Sequence, residues 1–127
     1  MKILSVDDSK TMRRIISGGV EVLGYECLEA ENGHAALRIL ENHYQEIVLI
    51  TLDWNMPEMD GMELLNTIKQ DKRYADIPVM MVTALSQKDN VAEAIRAGAK
   101  HYLTKPFTQE DLISRMMEAL GCGDSIF

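Results

Sequence analysis

The chain has 127 residues, of which 46% are hydrophobic and 26% are charged, a composition typical of one ordinary globular domain. Its formal net charge of -7 disfavours sequence-independent nucleic-acid binding, which needs a basic surface. No stretch approaches the roughly 20 apolar residues of a membrane span. Cys27 and Cys122 lie far apart and form no CxxC pair. We therefore expect reduced thiols in a cytoplasmic protein that contacts neither nucleic acid nor a membrane.

Strand-like and helix-like segments alternate from the start of the chain. Ile3 to Val6 is a short apolar run that predicts strand 1. Apolar residues at three- and four-residue steps then predict helix 1, which ends at Gly24. Gly18 and Gly19 lie inside this helix, where each costs about 1 kcal/mol relative to Ala. Cys27 to Ala30 predicts strand 2, at an edge of the sheet.

The middle of the chain continues the alternation. Asn32-Gly33 opens helix 2, and apolar residues between Met62 and Ile68 mark helix 3. Ile47 to Leu52 is the most apolar run, which predicts a central strand 3 that is buried on both faces of a parallel sheet. Pro78 to Val82 predicts strand 4, with proline at the first position, where a missing N–H is tolerated.

Two capping patterns mark the last helices. Ser86 with Asp89 predicts a capping box for helix 4, and Thr108 with Asp111 predicts one for helix 5. His101 to Leu103 lies between them and predicts strand 5. Strands that alternate regularly with helices predict an α/β fold with a doubly wound, five-stranded parallel sheet.

Polar residues stand where four of these strands end. Asp7 and Asp8 follow strand 1, Asp53 follows strand 3, Thr83 ends strand 4 and Lys105 follows strand 5. Each alone has a structural explanation, such as a helix start or a turn. In doubly wound sheets, however, ligands bind beyond the carboxyl ends of the strands. The joint arrangement therefore predicts a functional site at this edge.

The residue types at this edge indicate phosphoryl chemistry. Three neighbouring carboxylates repel one another unless a cation joins them, and oxygen ligands suit Mg²⁺. An aspartate can itself take a phosphoryl group as an acyl phosphate. The hydroxyl of Thr83 can donate to a phosphoryl oxygen, and the ammonium of Lys105 can balance its negative charge.

An ordered set of four segments resembles the receiver domains of bacterial two-component response regulators. The resemblance extends from Lys2 to about Leu120, and the Asp53 segment is similar to that of single-domain chemotaxis regulators. It implies the sheet order 2-1-3-4-5, a receiver domain over residues 1–120 and a short C-terminal tail over residues 121–127. The matching segments are Val6–Ser9, Asp53–Gly61, Val82–Ala84 and Lys105–Phe107.

The resemblance also implies roles for individual residues. Asp53 would accept a phosphoryl group from the phosphohistidine of a sensor histidine kinase or a phosphotransfer protein. Mg²⁺ would be the cofactor, held by Asp7, Asp8 and Asp53 and by the backbone carbonyl of Asn55. The protein would then be a phosphoacceptor in signalling rather than an enzyme with turnover.

The same resemblance implies a switch. Thr83 and Lys105 would hold the phosphoryl oxygens, Tyr102 would turn inward as Thr83 moves, and the Lys105–Pro106 peptide bond would be cis. The surface of helix 4, strand 5 and helix 5 would then control a downstream protein target. Lys10, Arg13 and Arg14 at the start of helix 1 predict a solvated face, with kinase docking as the alternative.

Several alternatives stay open at this point. The chain could be a phosphorelay intermediate, a receiver from a longer regulator, or a binding module that works without phosphorylation. We expect a monomer, with dimerisation on phosphorylation as the alternative. Other classes fit the sequence less well. The chain lacks the GxxxxGK[ST] motif of P-loop nucleotidases, the D-x-D pair of aspartate-dependent phosphatases and the Ser/Thr/Gly-rich loop of flavodoxin-like carriers.

Overall fold

A computed structural model describes residues 1–121 and shows a parallel sheet whose strands alternate with helices. The sheet order is β2-β1-β3-β4-β5, which confirms the predicted fold class and strand order. The strands are β1 (Lys2–Val6), β2 (Glu26–Ala30), β3 (Ile47–Leu52), β4 (Val79–Thr83) and β5 (His101–Thr104). The helices are α1 (Lys10–Val22), α2 (Gly33–His43), α3 (Gly61–Gln70), α4 (Lys88–Arg96) and α5 (Gln109–Ala119).

Successive side chains of each strand point to opposite faces of the sheet, so the sheet separates two hydrophobic cores. One core contains residues of α1 and α5, and the other contains residues of α2, α3 and α4. β3 lies in the middle, where Leu49 and Ile50 are fully buried in opposite cores. Its apolar run is therefore explained by burial on both faces, as predicted.

Gly19 marks the point where α1 lies against α5. A Cβ atom at this position would lie 3.0 Å from Cδ2 of Leu112 and 3.1 Å from Cε of Met116. The lack of a side chain therefore allows the two helices to approach closely. Gly18 has no such explanation, because a Cβ atom there would meet no atom within 4 Å.

The two predicted capping boxes have different outcomes. The box at Ser86 is wrong, because α4 begins at Lys88 and its N-cap, Gln87, makes no side-chain capping bond. Ser86 thus precedes the cap position. The box at Thr108 is confirmed: its hydroxyl accepts from the backbone N–H of Asp111 at 3.0 Å, and the Asp111 carboxylate accepts from the backbone N–H of Thr108 at 3.4 Å.

The C-terminal end and the two cysteines lie only partly within the described residues. The predicted tail over residues 121–127 lies outside the described residues except for Gly121, so the domain boundary at residue 120 stays a prediction. Cys122 also lies outside them. Cys27 is a half-buried free thiol, and burial raises its pKa to about 11. Within residues 1–121, none of the helices combines the length and apolarity that crossing a bilayer requires.

Candidate functional site

The residues predicted to share a site do meet at the carboxyl edge of the sheet. Asp7 follows β1, Asp53 follows β3 and Thr83 is the last residue of β4. Lys105 follows β5 and reaches back across the edge, with its backbone N–H bonded to the carbonyl of Thr83 at 2.8 Å. The Lys105–Pro106 peptide bond is cis, as the resemblance to receiver domains implies. A parallel sheet assembles these groups because all its strand ends share one edge.

A lysine joins two of the carboxylates. The Nζ atom of Lys105 lies 2.9 Å from Oδ2 of Asp7 and 3.3 Å from Oδ2 of Asp53. Asp7 is 1% exposed and Asp53 is 7% exposed, whereas Asp8 is exposed. One carboxylate oxygen from each of these three aspartates lies within 4.8 Å of the others. This oxygen cluster has the chemistry of a site for a hard divalent cation.

The electrostatics of the site leave its charges poorly balanced. Burial raises the pKa of Asp53, and the charge of Asp7 adds to this effect, while the charge of Lys105 acts against it. Burial by itself would lower the pKa of Lys105. The hydrogen bond to Asp7 and the charges of both aspartates outweigh burial and raise it. Two buried carboxylates therefore share one ammonium, and a further cation would relieve their repulsion.

Thr83 and Tyr102 lie on the β4 and β5 side of the site. Thr83 is fully buried, and its hydroxyl accepts a weak hydrogen bond from the backbone N–H of Leu85 at 3.5 Å. The Tyr102 hydroxyl donates to the carbonyl of Leu85 at 2.6 Å, and burial together with the charge of Asp53 raises its pKa. Tyr102 therefore ties β5 to the loop between β4 and α4.

Two glycines lie very close to the loop between β3 and α3, one at its backbone and one at a side chain. A Cβ atom on Gly61 would overlap the carbonyl oxygen of Asp53, and one on Gly33 would lie 2.6 Å from Sδ of Met59. Glu58 adopts a left-handed conformation with φ of 70°. Asn55 is exposed in the same loop, and the predicted role of its carbonyl as a metal ligand stays a prediction.

One residue beside the site was assigned to a solvated face by its sequence position. Arg13 is instead largely buried, with 13% of its side chain exposed. It donates from Nη1 to the backbone carbonyl of Asp7 at 2.7 Å and from Nε to Oε1 of Glu29 at 3.1 Å. The helical pattern alone does not distinguish Arg13 from its exposed neighbours Lys10 and Arg14.

Comparisons with known proteins agree with this geometry. A family model described as the response regulator receiver domain matches residues 3–117. A chemotaxis protein CheY homolog from Campylobacter jejuni is 46% identical over 124 residues, which are 97% of this chain and 95% of the relative. The chemotaxis protein CheY1 from Helicobacter pylori is 46% identical over 125 residues, which are 98% of this chain and 100% of the relative.

Longer relatives and solved structures are similar as well. The phosphate regulon transcriptional regulatory protein PhoB from Pseudomonas aeruginosa is 40% identical over 97% of this chain, which matches 54% of PhoB. CheY4 from Vibrio cholerae superimposes with a TM-score of 0.86 at 30% identity, covering 93% of this chain and 97% of that one. A CheX–CheY–BeF3–Mg²⁺ complex from Borrelia burgdorferi gives 0.87 at 29% identity, with coverage of 93% and 87%.

Proposed function

Because the chain belongs to the family of response regulator receiver domains, we propose that Asp53 accepts a phosphoryl group in the presence of Mg²⁺. Its CheY-like relatives are signalling proteins rather than classical enzymes. The observation that carries the proposal is the contact of the Lys105 ammonium with both Asp7 and Asp53, next to the carboxylate of Asp8.

The transfer step follows from the residues at the site. A carboxylate oxygen of Asp53 attacks the phosphorus of a phosphohistidine, the P–N bond breaks, and the departing imidazole nitrogen keeps the electron pair and takes up a proton. Lys105 then contacts an oxygen of the phosphoryl group instead of the free carboxylate, and the Thr83 hydroxyl donates to another. Both groups stabilise negative charge that spreads over the transferring group.

The residues present fit a magnesium ion. Asp7, Asp8 and Asp53 would hold it, with the backbone carbonyl of Asn55 as a fourth protein ligand. Bound Mg²⁺ would neutralise charge on the phosphoryl oxygens. Asp8 is the exposed member of the cluster. Lys105 contacts the two buried members, Asp7 and Asp53.

Phosphorylation would change the surface around β5. A phosphoryl group adds nearly two negative charges and three acceptor oxygens, which draw Thr83 and Lys105 toward Asp53. Tyr102 is bonded to the loop that follows β4, and Thr83 precedes that loop. Movement of Thr83 would therefore change the contact between Tyr102 and the Leu85 carbonyl. The surface formed by α4, β5 and α5 would then gain or lose affinity for a downstream protein.

The partners proposed for the chain are proteins. A sensor histidine kinase or phosphotransfer protein would supply the phosphoryl group. The relatives named as chemotaxis proteins favour a stand-alone regulator of motility, whereas PhoB, of which the chain matches 54%, keeps the alternative of a receiver within a longer regulator. The Borrelia CheY complexed with CheX shows one relative bound to another protein.

The fluorescence of Trp54, which neighbours Asp53, tests the proposal directly. We expect one response to Mg²⁺ and a second response to a small-molecule phosphodonor. Intact-mass analysis should show a single phosphoryl adduct on the wild-type chain. Asp53→Asn should lose the second response and the adduct, because an amide cannot form an acyl phosphate.

Two results would contradict the proposal. One is an adduct that persists in Asp53→Asn, which would place the acceptor elsewhere. The other is a wild-type chain that binds Mg²⁺ yet forms no adduct with any phosphodonor. In that case the better interpretation of the chain would be a binding module that works without phosphorylation.

A further inference from the structure

Arg13 lies behind the turn that carries Asp7 and Asp8. It reaches back from α1 to the carbonyl of Asp7 at 2.7 Å, while Glu29 on β2 accepts from its Nε atom at 3.1 Å. The guanidinium is planar, so two bonds from different edges fix its orientation as well as its distance. Arg13 therefore links α1, the end of β1 and β2 through one side chain.

Two backbone N–H groups of the turn are bonded within the protein. The N–H of Asp7 donates to the carbonyl of Ala30 at 3.1 Å, and the N–H of Ser9 donates to Oδ1 of Asp7 at 2.9 Å. The hydroxyl of Ser9 caps α1 by accepting from the N–H of Met12 at 3.2 Å. The carbonyl of Asp7 is held from α1, because it accepts from Nη1 of Arg13.

This carbonyl belongs to the peptide plane that joins Asp7 to Asp8. Rotation of that plane would change the direction in which the Asp8 side chain leaves the backbone. The Asp8 carboxylate is exposed, so packing does not hold it in place. Yet one of its oxygens lies within 4.8 Å of oxygens of Asp7 and Asp53. The bond from Arg13 is thus a direct restraint on the geometry of the carboxylate cluster.

We propose that Arg13 is a positioning residue for the divalent cation, and that Glu29 orients Arg13 and offsets its charge. The inference rests on the proposed function, because it concerns the same carboxylates. Arg13 would not touch the ion. It would hold the Asp7–Asp8 peptide so that the carboxylates converge before the cation arrives, which lowers the cost of ordering them.

Positioning and simple electrostatics predict opposite signs. A positive charge beside a cation site repels the ion, so removal of that charge alone would tighten Mg²⁺ binding. If Arg13 positions the turn, its removal weakens binding even though a repulsive charge is gone. Glu29→Gln should weaken binding under either explanation, because it removes a negative charge near the ion and leaves the guanidinium of Arg13 less well oriented.

Calorimetric titration with Mg²⁺ alone, in chelator-treated protein, measures the effect. We expect Arg13→Gln to weaken Mg²⁺ binding by roughly 10-fold, the scale seen for groups that orient metal ligands. Arg13→Lys keeps the charge but cannot make both contacts, so it should bind as weakly as Arg13→Gln or more weakly. Arg14→Gln is the matched control, because Arg14 is the exposed neighbour with the same charge, and we expect a change within about twofold.

A second measurement separates positioning from general damage to the fold. The phosphorylation rate of Arg13→Gln by a small phosphodonor should fall at low Mg²⁺ and recover to the wild-type rate at saturating Mg²⁺. The free energy of unfolding, measured with a chelator present, identifies any variant that fails to fold. Arg13→Lys, which keeps the positive charge, then provides the test with folded protein.

The outcomes are distinct from those of the proposed function. Unchanged or tighter Mg²⁺ binding by Arg13→Gln, in the presence of normal wild-type binding, overturns the role of Arg13 and leaves the phosphoacceptor intact. A phosphorylation rate that stays low at saturating Mg²⁺ also overturns it. A wild-type chain that binds no Mg²⁺ overturns both proposals together.

Discussion

As the proposed phosphoacceptor, Asp53 would have to be buried enough to protect an acyl phosphate and ionised enough to attack phosphorus. Burial and the charge of Asp7 raise its pKa, and the charge of Lys105 opposes them. The net direction is upward, so the ionised form of Asp53 is less stable in the folded protein than in the unfolded chain. The ionised carboxylate of Asp53 thus reduces the stability of the fold at neutral pH.

We therefore expect Asp53→Asn to have a higher free energy of unfolding than the wild type at pH 7 when a chelator is present. A carboxyl with a raised folded pKa costs stability only above its unfolded pKa, which is 3.8 for a free aspartate. The difference between the two proteins should consequently shrink as the pH falls from 6 to 3. Urea unfolding across this range measures it.

A matched control separates this local effect from a general reduction of the net charge of -7. Asp89 is exposed in the first turn of α4, where a negative charge is favourable, so Asp89→Asn should not stabilise the protein. Added Mg²⁺ should reduce the difference in the free energy of unfolding between Asp53→Asn and the wild type, because it binds the folded wild type more tightly than the variant. A difference in the free energy of unfolding that does not change with pH would show that the ionisation of Asp53 does not cause it.

The sequence indicated most of the site at this scale. Asp7, Asp53 and Lys105 could be grouped because each follows a predicted strand, and a parallel sheet brings such positions together without knowledge of side-chain directions. The bond from Arg13 to the Asp7 carbonyl could not be predicted in that way. It depends on the direction of one long side chain and on a contact with β2, neither of which the helical pattern specifies.

At the scale of single elements, the caps of α4 and α5 provide a direct comparison. Thr108→Ala should lower the free energy of unfolding by about 1 kcal/mol, because it removes the observed reciprocal bonds with Asp111. Ser86→Ala should change it by less than about 0.5 kcal/mol, because Ser86 precedes the cap of α4. Thermal or urea unfolding of both variants checks this, and equal losses would contradict the capping geometry described above.

These two helices also show what a local motif can predict. A Ser or Thr followed three residues later by an acid is compatible with a box at both places in the sequence. At α5 the helix does start at that point. At α4 the helix starts one residue later than the motif predicts, at Lys88. The loop before it is bonded to Tyr102 of β5 through the Leu85 carbonyl, and such a tertiary contact has no local signature in the sequence.

At the scale of the molecule, the proposed switch couples the acceptor to a surface of two helices and an edge strand. Tyr102 is the residue to observe, because its hydroxyl bond to Leu85 connects β5 with the loop after β4. We expect BeF3 with Mg²⁺, used as a phosphoryl mimic, to shift the ¹⁹F resonance of fluorotyrosine at position 102. Tyr102→Phe assigns that resonance.

Two of the other three tyrosines serve as internal controls for this experiment. Tyr44 and Tyr74 pack edge to face, with ring centroids 5.6 Å apart, and neither belongs to the switch surface. Their resonances should stay in place when the mimic binds. An unshifted Tyr102 resonance, in protein whose Trp54 fluorescence reports that the mimic has bound, would refute a role for Tyr102 in switching.

The architecture itself was predictable because the pattern is repeated. Each strand is followed by an amphipathic helix, and β3 is apolar throughout because both of its faces are covered. The sheet order and the implied switch surface came from resemblance to a family rather than from periodicity. Periodicity identifies elements but says little about which strands are neighbours.

The ion pair between Lys105 and Asp7 joins residues 98 positions apart in the chain. During synthesis, a chain that has emerged only as far as β4 therefore carries the acidic groups without their ammonium partner. Such an intermediate would lack the charge balance on which the proposed phosphoryl transfer to Asp53 depends. Under that proposal, the protein becomes able to accept a phosphoryl group only late in its synthesis, once Lys105 has emerged.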